Sequence, residues 1–416
     1  MRKTLIASAV FFLIFFYGLI LSQTRVNIID DQLEPKNAAG FYDYRGISNV
    51  HTDRGLGSGS ALDVIKAAQE SNLDYLFITD LNQFTEPFAG AASSALMPEL
   101  QPKLKDSYHR KTLVMTANEY GYLDSRLLLY DIKKQHELDG PGQAQVLLAD
   151  LLSQPGDAAK DDVIVLAHPT KPGFAWNGPY PAGLDGIEVV NLKTAWRKAW
   201  DTQKWSFFWS ALVYPFNSEL SLIRLYDEST EELELWDHLS ASRHTIGMGG
   251  SEATAKTASM GNWTLKFPSY QTSFNMLSNH VLLRTELTGE AASDRKKLLG
   301  AISSGAMYIS LDVLGNPKGF TTAMTEGDHV HMLGSQVKLK PGLKMQTHLP
   351  SIPSVPYEIA LIKDGQHVAS VTKQDVDFDI KERGVYRVVV RVFVGFTLPD
   401  GMRWITWIYT NPIYVN

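Results

Sequence analysis

Tyr75-Leu76-Phe77-Ile78-Thr79-Asp80 is a short apolar run that hands over to a hydroxyl and a carboxylate. Four apolar residues suit a buried strand and fall short of a helix. The same pattern recurs in Ile47-Ser48-Asn49-Val50-His51. Thr112-Leu113-Val114-Met115 leads to Glu119, and Val163-Ile164-Val165-Leu166-Ala167 leads to His168. Ile246-Gly247-Met248-Gly249-Gly250 leads to Ser251-Glu252. Strands that deliver functional groups from their C-terminal ends are the arrangement of a β/α barrel site.

The segments between these runs read as helices. Ser60 is positioned to cap one whose apolar residues Leu62, Ile65 and Ala68 have helical spacing, with Asn72 as its stop. Gln143–Leu152 leads into Val163–Leu166, and Glu231–Ser242 leads into Thr245–Met248. Residues 39–312 are therefore expected to be α/β, with βα units around a parallel sheet. After residue 313 the period changes. Tyr357–Ile362 and His367–Val371 flank Asp364-Gly365, a hairpin turn signal. Val385–Val392 alternates as a half-buried strand does, and Trp404–Tyr409 and Ile413–Val415 continue the pattern. Residues 313–416 are expected to form an immunoglobulin-like β-sandwich of about 100 residues, with Gly384-Val385-Tyr386 opening a late strand.

Composition bounds the function. The chain has 416 residues, 44% hydrophobic and 20% charged, an ordinary globular balance. A formal charge of −6 argues against nucleic acid as the main partner. The absence of cysteine excludes disulfides, thiolate metal sites and cysteine nucleophiles. Arg2-Lys3 precede Leu5–Leu21, an uncharged run close to the ~20 residues that span a bilayer. It reads as a secretion signal or an uncleaved anchor. No Ala-x-Ala cleavage site follows, so residues 1–24 are expected to be an anchor helix in the membrane through 5–21. Basic residues before the run place the body outside the cytoplasm, periplasmic or extracellular. Residues 25–38, with Pro35, are a polar tether. Trp205–Phe216 is strongly aromatic but too short to span. It is read first as a helix or loop covering the core, and second as a patch lying on the bilayer beside the anchor.

A hydrolytic metal site needs imidazole nitrogens and carboxylate oxygens around the cation, with a position left for water. The metal then lowers the pKa of that water from ~16 to about 7. His51, Glu119, His168 and Glu252 are of the right type and stand at strand ends. Lys171, Lys193 and Arg197 follow site strands and are candidates to meet a small anionic ester or an envelope ligand. Solvated charges on the barrel rim are the plainer reading of all three. Asn191 reads as a cap at a strand end.

As a set these motifs resemble the PHP (polymerase and histidinol phosphatase) superfamily. Asn49-Val50-His51-Thr52 is similar to its His-x-His-Ser/Thr opening, and Leu73–Asn82 to its strand ending Thr-Asp-His-Asn. Asn118-Glu119 is similar to its bridging glutamate, Ala167-His168-Pro169 to its His-Pro motif, and Asp185–Asn191 to its strand carrying Gly-Ile-Glu. Gly249–Thr254 resembles the closing Gly-Ser-Asp-Ala-His, and Trp407–Val415 the tail of secreted carbaryl-hydrolase-like members. The resemblance implies a distorted (β/α)7 barrel and a metal-dependent phosphoesterase or hydrolase. It implies His51, Glu119, His168 and Glu252 as metal ligands, and Glu119 and Asp80 as catalytic, with Asp80 orienting a ligand. The departures are heavy. Asn49, Leu81 and Thr254 stand where ligand histidines are usual, Glu252 replaces an aspartate, and Gly55-Leu56-Gly57 offers no ligand. The expectation is at most one zinc, manganese or iron ion, or none. The chain reads as a weakened or inactive relative of these hydrolases, with an active one-metal hydrolase as the alternative. A third reading has the β-sandwich bind an envelope polysaccharide or partner.

Overall fold

The structure is a computed structural model that describes residues 2–30, 39–81, 105–121, 125–130, 163–176, 178–181, 183–260, 263–396 and 401–416. The helix expected at Gln143–Leu152 lies outside them. The chain begins with α1 (Arg2–Ser22), β1 (Tyr42–Val50), α2 (Ala61–Glu70), β2 (Tyr75–Ile78), β3 (Ser107–His109), β4 (Thr112–Thr116), β5 (Asn118–Gly121), β6 (Arg126–Tyr130), β7 (Val163–Ala167) and β8 (Gly186–Asn191). It continues through α3 (Leu192–Thr202), α4 (Lys204–Val213), α5 (Ser218–Ile223), α6 (Thr230–Ser242), β9 (Ile246–Gly250), β10 (Thr257–Met260), β11 (Trp263–Lys266), α7 (Tyr270–Met276), β12 (Ser278–Leu283), α8 (Ala291–Ser303) and β13 (Met307–Ser310). The last part is all strand: β14 (Thr321–Glu326), β15 (His329–His331), β16 (Gln336–Val337), β17 (Lys344–His348), β18 (Tyr357–Lys363), β19 (Gln366–Val371), β20 (Asp375–Asp379), β21 (Gly384–Phe396), β22 (Gly401–Thr410) and β23 (Ile413–Val415).

This is a mixed α/β protein. Its local signals act as the physics requires. Ser60 accepts from Asp63 N while Asp63 reaches back to the Ser60 amide, a capping box that starts α2. The buried face of α2 is Val64, Ile65, Ala67 and Ala68, whereas Leu62 is 73% exposed and lies on the outer face. Asn72, at φ 53, turns the chain out of the helix. Asp364 and Gly365 both have positive φ, the backbone of a tight primed turn between β18 and β19.

The sheets are mixed rather than purely parallel. A five-stranded sheet runs β5-β6-β7-β8-β9, antiparallel through β5, β6 and β7 and parallel through β7, β8 and β9. A twelve-stranded sheet contains the parallel set β1, β2 and β4, with β12 antiparallel beside β1. The two sheets meet through isolated bridges, Val50 with Ala253 and Leu81 with Glu119. The larger sheet does not stop at residue 312. It continues from β13 into β22, pairing Tyr308 with Thr410, and on to β21, β23 and β16. A separate four-stranded sheet runs β15-β14-β17-β20. Fully buried Tyr75, Phe77, Trp236 and Trp407 belong to one core that joins both parts of the chain, and each such side chain contributes roughly 1.5–3 kcal/mol.

The aromatic segment is a helix, α4, lying against the end of α1. Tyr17 and Trp209 have ring centroids 5.6 Å apart, and Phe15 and Phe216 6.4 Å. Among the described residues no helix is long and apolar enough to cross a membrane.

Candidate functional site

The site draws on residues that follow β1, β2, β7 and β9 and on residues within β5 and β8. At β1 a register shift between Ile47 and Val50 forms a bulge, and Asn49 takes φ 60 there. His168 and Glu252 also have left-handed backbones, at φ 51 and φ 40. Three of the seven described non-glycine residues with positive φ therefore belong to one cluster. Such backbone costs on the order of 1–3 kcal/mol per residue and persists where surrounding structure demands it.

The four expected ligands form two facing pairs. His51 Nε2 lies 3.0 Å from Glu119 Oε2, and His168 Nε2 lies 3.1 Å from Glu252 Oε2. All four side chains are essentially without solvent contact. None of these four atoms has a partner in hydrogen-bond geometry. Each carboxylate's other oxygen is held by a cation. Arg126 Nη1 donates to Glu119 Oε1 at 3.0 Å, and Lys193 Nζ to Glu252 Oε1 at 2.6 Å. Lys171 Nζ stands 3.7 Å from Glu252 Oε2. Both Arg126 and Lys171 also face the ring of Phe174, at 4.8 and 4.7 Å from its centroid.

Two groups in this cluster escape a reading of the sequence. Glu188, in the otherwise uncharged and buried β8, accepts from Asn49 Nδ2 at 2.8 Å, Asn191 Nδ2 at 2.9 Å and the His168 amide at 3.2 Å. Gly250 makes room for it, since a Cβ there would meet Glu188 Oε1 at 1.9 Å. Arg126 is the second, opening the apolar strand Arg126-Leu127-Leu128-Leu129-Tyr130. One charged residue in each of two buried strands is the signal that marks them.

The other candidates fall as follows. Glu119 sits on its own strand, β5, in the five-stranded sheet, rather than at the end of β4. Asp80 spends both carboxylate oxygens on Thr52, at 2.5 Å to its amide and 2.5 Å to its hydroxyl. It fixes the turn after His51, whose carbonyl is held by Tyr270 Oη at 2.7 Å. Arg197 is exposed on α3 and pairs with Asp201 at 3.2 Å, away from the cluster. Asn191 caps α3 by accepting from Thr194 N at 2.9 Å. Leu81 forms a β-bridge with Glu119.

Burial raises the Glu188 carboxyl to about 8, and neighbouring Glu252 and Glu119 add to the rise. Burial opposes ionisation of Glu119 too, but His51, Arg126 and His168 overcome it and hold the group at about 2. The same contest leaves Glu252 well below the usual carboxylate range, through His168, Lys193 and Lys171. Burial pushes His168 down to about 4, so its ring is neutral at pH 7. Burial also lowers Lys171, against the pull of Glu252.

A metal cluster does not fit these residues. Among the described residues no three His, Asp or Glu side chains converge closely enough to hold an ion. Each facing pair offers one nitrogen and one oxygen, short of the three or four protein ligands of a zinc site. Lysine and arginine already neutralise the two ionised carboxylates. With Lys171 counted, three cationic side chains face two carboxylates.

No family model matches the chain, and no curated protein does. Among solved structures it is similar to a two-domain protein containing a predicted PHP-like metal-dependent phosphoesterase from Bacteroides vulgatus ATCC 8482. The likeness covers 92% of this chain and 98% of that one, at 11% identity and a TM-score of 0.39. At this distance it says nothing of the site.

Proposed function

We propose that this chain is a PHP-like barrel with a C-terminal immunoglobulin-like sandwich, membrane-anchored with its body outside the cytoplasm, that has exchanged metal-dependent hydrolysis for binding a small anion. The observation that supports it best is the set of cations on the ligand carboxylates: Arg126 on Glu119, and Lys193 with Lys171 on Glu252. An organic cation in place of a metal ion keeps two buried carboxylates ionised but supplies no activated water. The partly exposed Lys193 and the less exposed Lys171 form the solvent side of the cluster, where an anion meets positive charge first. The sandwich reading is supported by Tyr386, whose hydroxyl donates to Glu382 O at 2.8 Å as in a tyrosine corner. The anchor reading rests on the uncharged run Leu5–Leu21.

Elemental analysis of the purified full chain is the test, paired with calorimetric titration of inorganic phosphate. The expected result is less than a tenth of an equivalent of zinc, manganese or iron, together with phosphate binding. Lys171→Met with Lys193→Met should weaken that binding at least about tenfold, since a charge-assisted hydrogen bond contributes ~1.5–3 kcal/mol. A stoichiometric metal, lost in His51→Ala with His168→Ala, would overturn the proposal. It would favour the second reading, a one-metal hydrolase, for which the unpartnered His51 Nε2, Glu119 Oε2, His168 Nε2 and Glu252 Oε2 speak.

A further inference from the structure

Helix α4 displays its aromatic residues outward. Trp205 is 86% exposed and Phe208 64%, on a helix that buries Ser210 and Val213 against the fold. Trp200, at 48%, extends the patch from α3 and stacks edge-on against Phe207 at 4.9 Å. A water-facing helix has no physical reason to present two large aromatic residues in one turn, and exposed patches of this kind mark binding surfaces.

Three observations select the occupant. First, α4 packs beside α1, on which Phe11, Phe12, Leu13, Phe16, Leu19 and Ile20 are exposed. Second, α4 is fixed to that helix: Tyr17 packs on Trp209, and a Cβ on Gly18 would meet the Phe216 ring at 2.6 Å. Asn217, just after α4, donates to Leu21 O at 3.0 Å and Thr24 O at 2.9 Å, pinning the place where α1 ends. Third, the rim is basic, with Lys198 and Lys204 exposed beside Trp200 and Trp205. Tryptophan at a rim of lysine suits the boundary between acyl chains and anionic headgroups, where the ring has an apolar body and a polar N–H.

We propose that α4 is a second membrane contact, lying in the headgroup region of an anionic bilayer where the C-terminal end of α1 emerges. It holds the body on the membrane at a second place, alongside the docking of Ile28 and Ile29 in the core just after the anchor. The inference rests on the anchor reading of Leu5–Leu21 and adds to it.

The cysteine-free sequence makes the test direct. Full-length Phe12→Cys, Trp205→Cys, Phe208→Cys and Glu234→Cys chains each receive one nitroxide and enter vesicles of phosphatidylglycerol and phosphatidylcholine. All four positions are exposed, and Glu234 on α6 is the water-facing control. Collision rates with oxygen and with a water-soluble nickel chelate are read at each label. Labels at 205 and 208 should favour oxygen over the chelate at least about threefold relative to 234, and the label at 12 should do so as well. A lipid signal at 12 with water-like values at 205 and 208 overturns the inference and leaves the anchor standing. Water-like values at all of 12, 205 and 208 overturn both. Labels at 205 and 208 shielded from both reagents and broadened by a neighbouring spin would mean a second copy covers the patch, which also overturns the inference.

Discussion

His280 is buried between two carboxylates, and it lies outside the candidate site. Its Nδ1 is 2.8 Å from Asp43 and its Nε2 is 3.3 Å from Asp312, with Tyr308 stacked on the ring at 4.6 Å. Arg45 pairs with Asp312 and donates to Ser71 O at 2.6 Å and Phe274 O at 3.0 Å. Burial alone would lower the imidazole, but Asp43 and Asp312 more than reverse this and raise it from 6.5 to about 9. A histidine raised on folding stabilises the native state fully below its unfolded value, and that contribution fades as pH rises through the folded one. Urea unfolding should therefore show stability falling between pH 6.5 and about 9, by on the order of 3 kcal/mol from this group. His280→Asn should reduce that slope while losing about 3–5 kcal/mol at pH 6.5, because buried Asp43 loses its cation and Asp312 keeps Arg45 alone. An unchanged slope in the variant would remove His280 as its source. This network is not legible in sequence, because Asp43 and His280 are brought together only by the antiparallel register of β1 and β12, and Asp312 follows β13.

At the scale of elements, Asn217 joins three pieces of chain. Its side-chain Oδ1 accepts from Leu220 N at 2.9 Å and starts α5, while its Nδ2 holds Leu21 O near the end of α1 and Thr24 O just beyond it. Asn217→Ala removes three hydrogen bonds, each worth about 1 kcal/mol. Tryptic cleavage after the exposed Arg25 should then accelerate by tenfold or more, since each ~1.4 kcal/mol of easier opening gives a factor of ten. Asn217→Asp, which keeps the acceptor that caps α5, should fall between. Equal rates in all three chains would show that α1 is not held from this side. Elements of this kind are well marked in the sequence where a local rule acts. Ser60 with Asp63, Asp364-Gly365 and the runs ending at His51, His168 and Glu252 are read from neighbours a few residues apart. What escapes is set by distant pairing. Glu119 looks like the end of the Thr112–Met115 run, yet its place depends on the pairing of β5 with β6. Arg197 follows a site strand as Lys193 does. Four residues along α3 are a little more than one turn, and the side chain emerges in solvent.

Across the whole molecule, the change from α/β to all-strand sequence near residue 312 marks no seam in the structure. Leu311 N donates to Trp407 O at 2.9 Å, and Trp407 Nε1 to Gly315 O at 2.9 Å. Asn411 Oδ1 accepts from Gly247 N at 2.8 Å, and its amide group donates to Gly247 O and Met307 O at 2.9 and 3.2 Å. Arg387 grips Asp237 on α6 through two nitrogens, at 2.9 and 2.7 Å. These groups are buried or nearly so, and if the strands after 313 separated they would be left wet or unpaired. Gly247 lies in β9, which leads to Glu252, so the C-terminal part braces the candidate site itself. Units coupled through a shared sheet and shared buried polar groups should unfold together. Urea titration should give one midpoint by tryptophan emission and by far-ultraviolet circular dichroism, with residues 39–312 unable to fold when expressed alone. Asn411→Ala should lower stability by about 2–3 kcal/mol without splitting the transition, since it strips three buried hydrogen bonds from the joint. Two separated midpoints in the parent chain would mean that the continuous sheet does not couple the two halves.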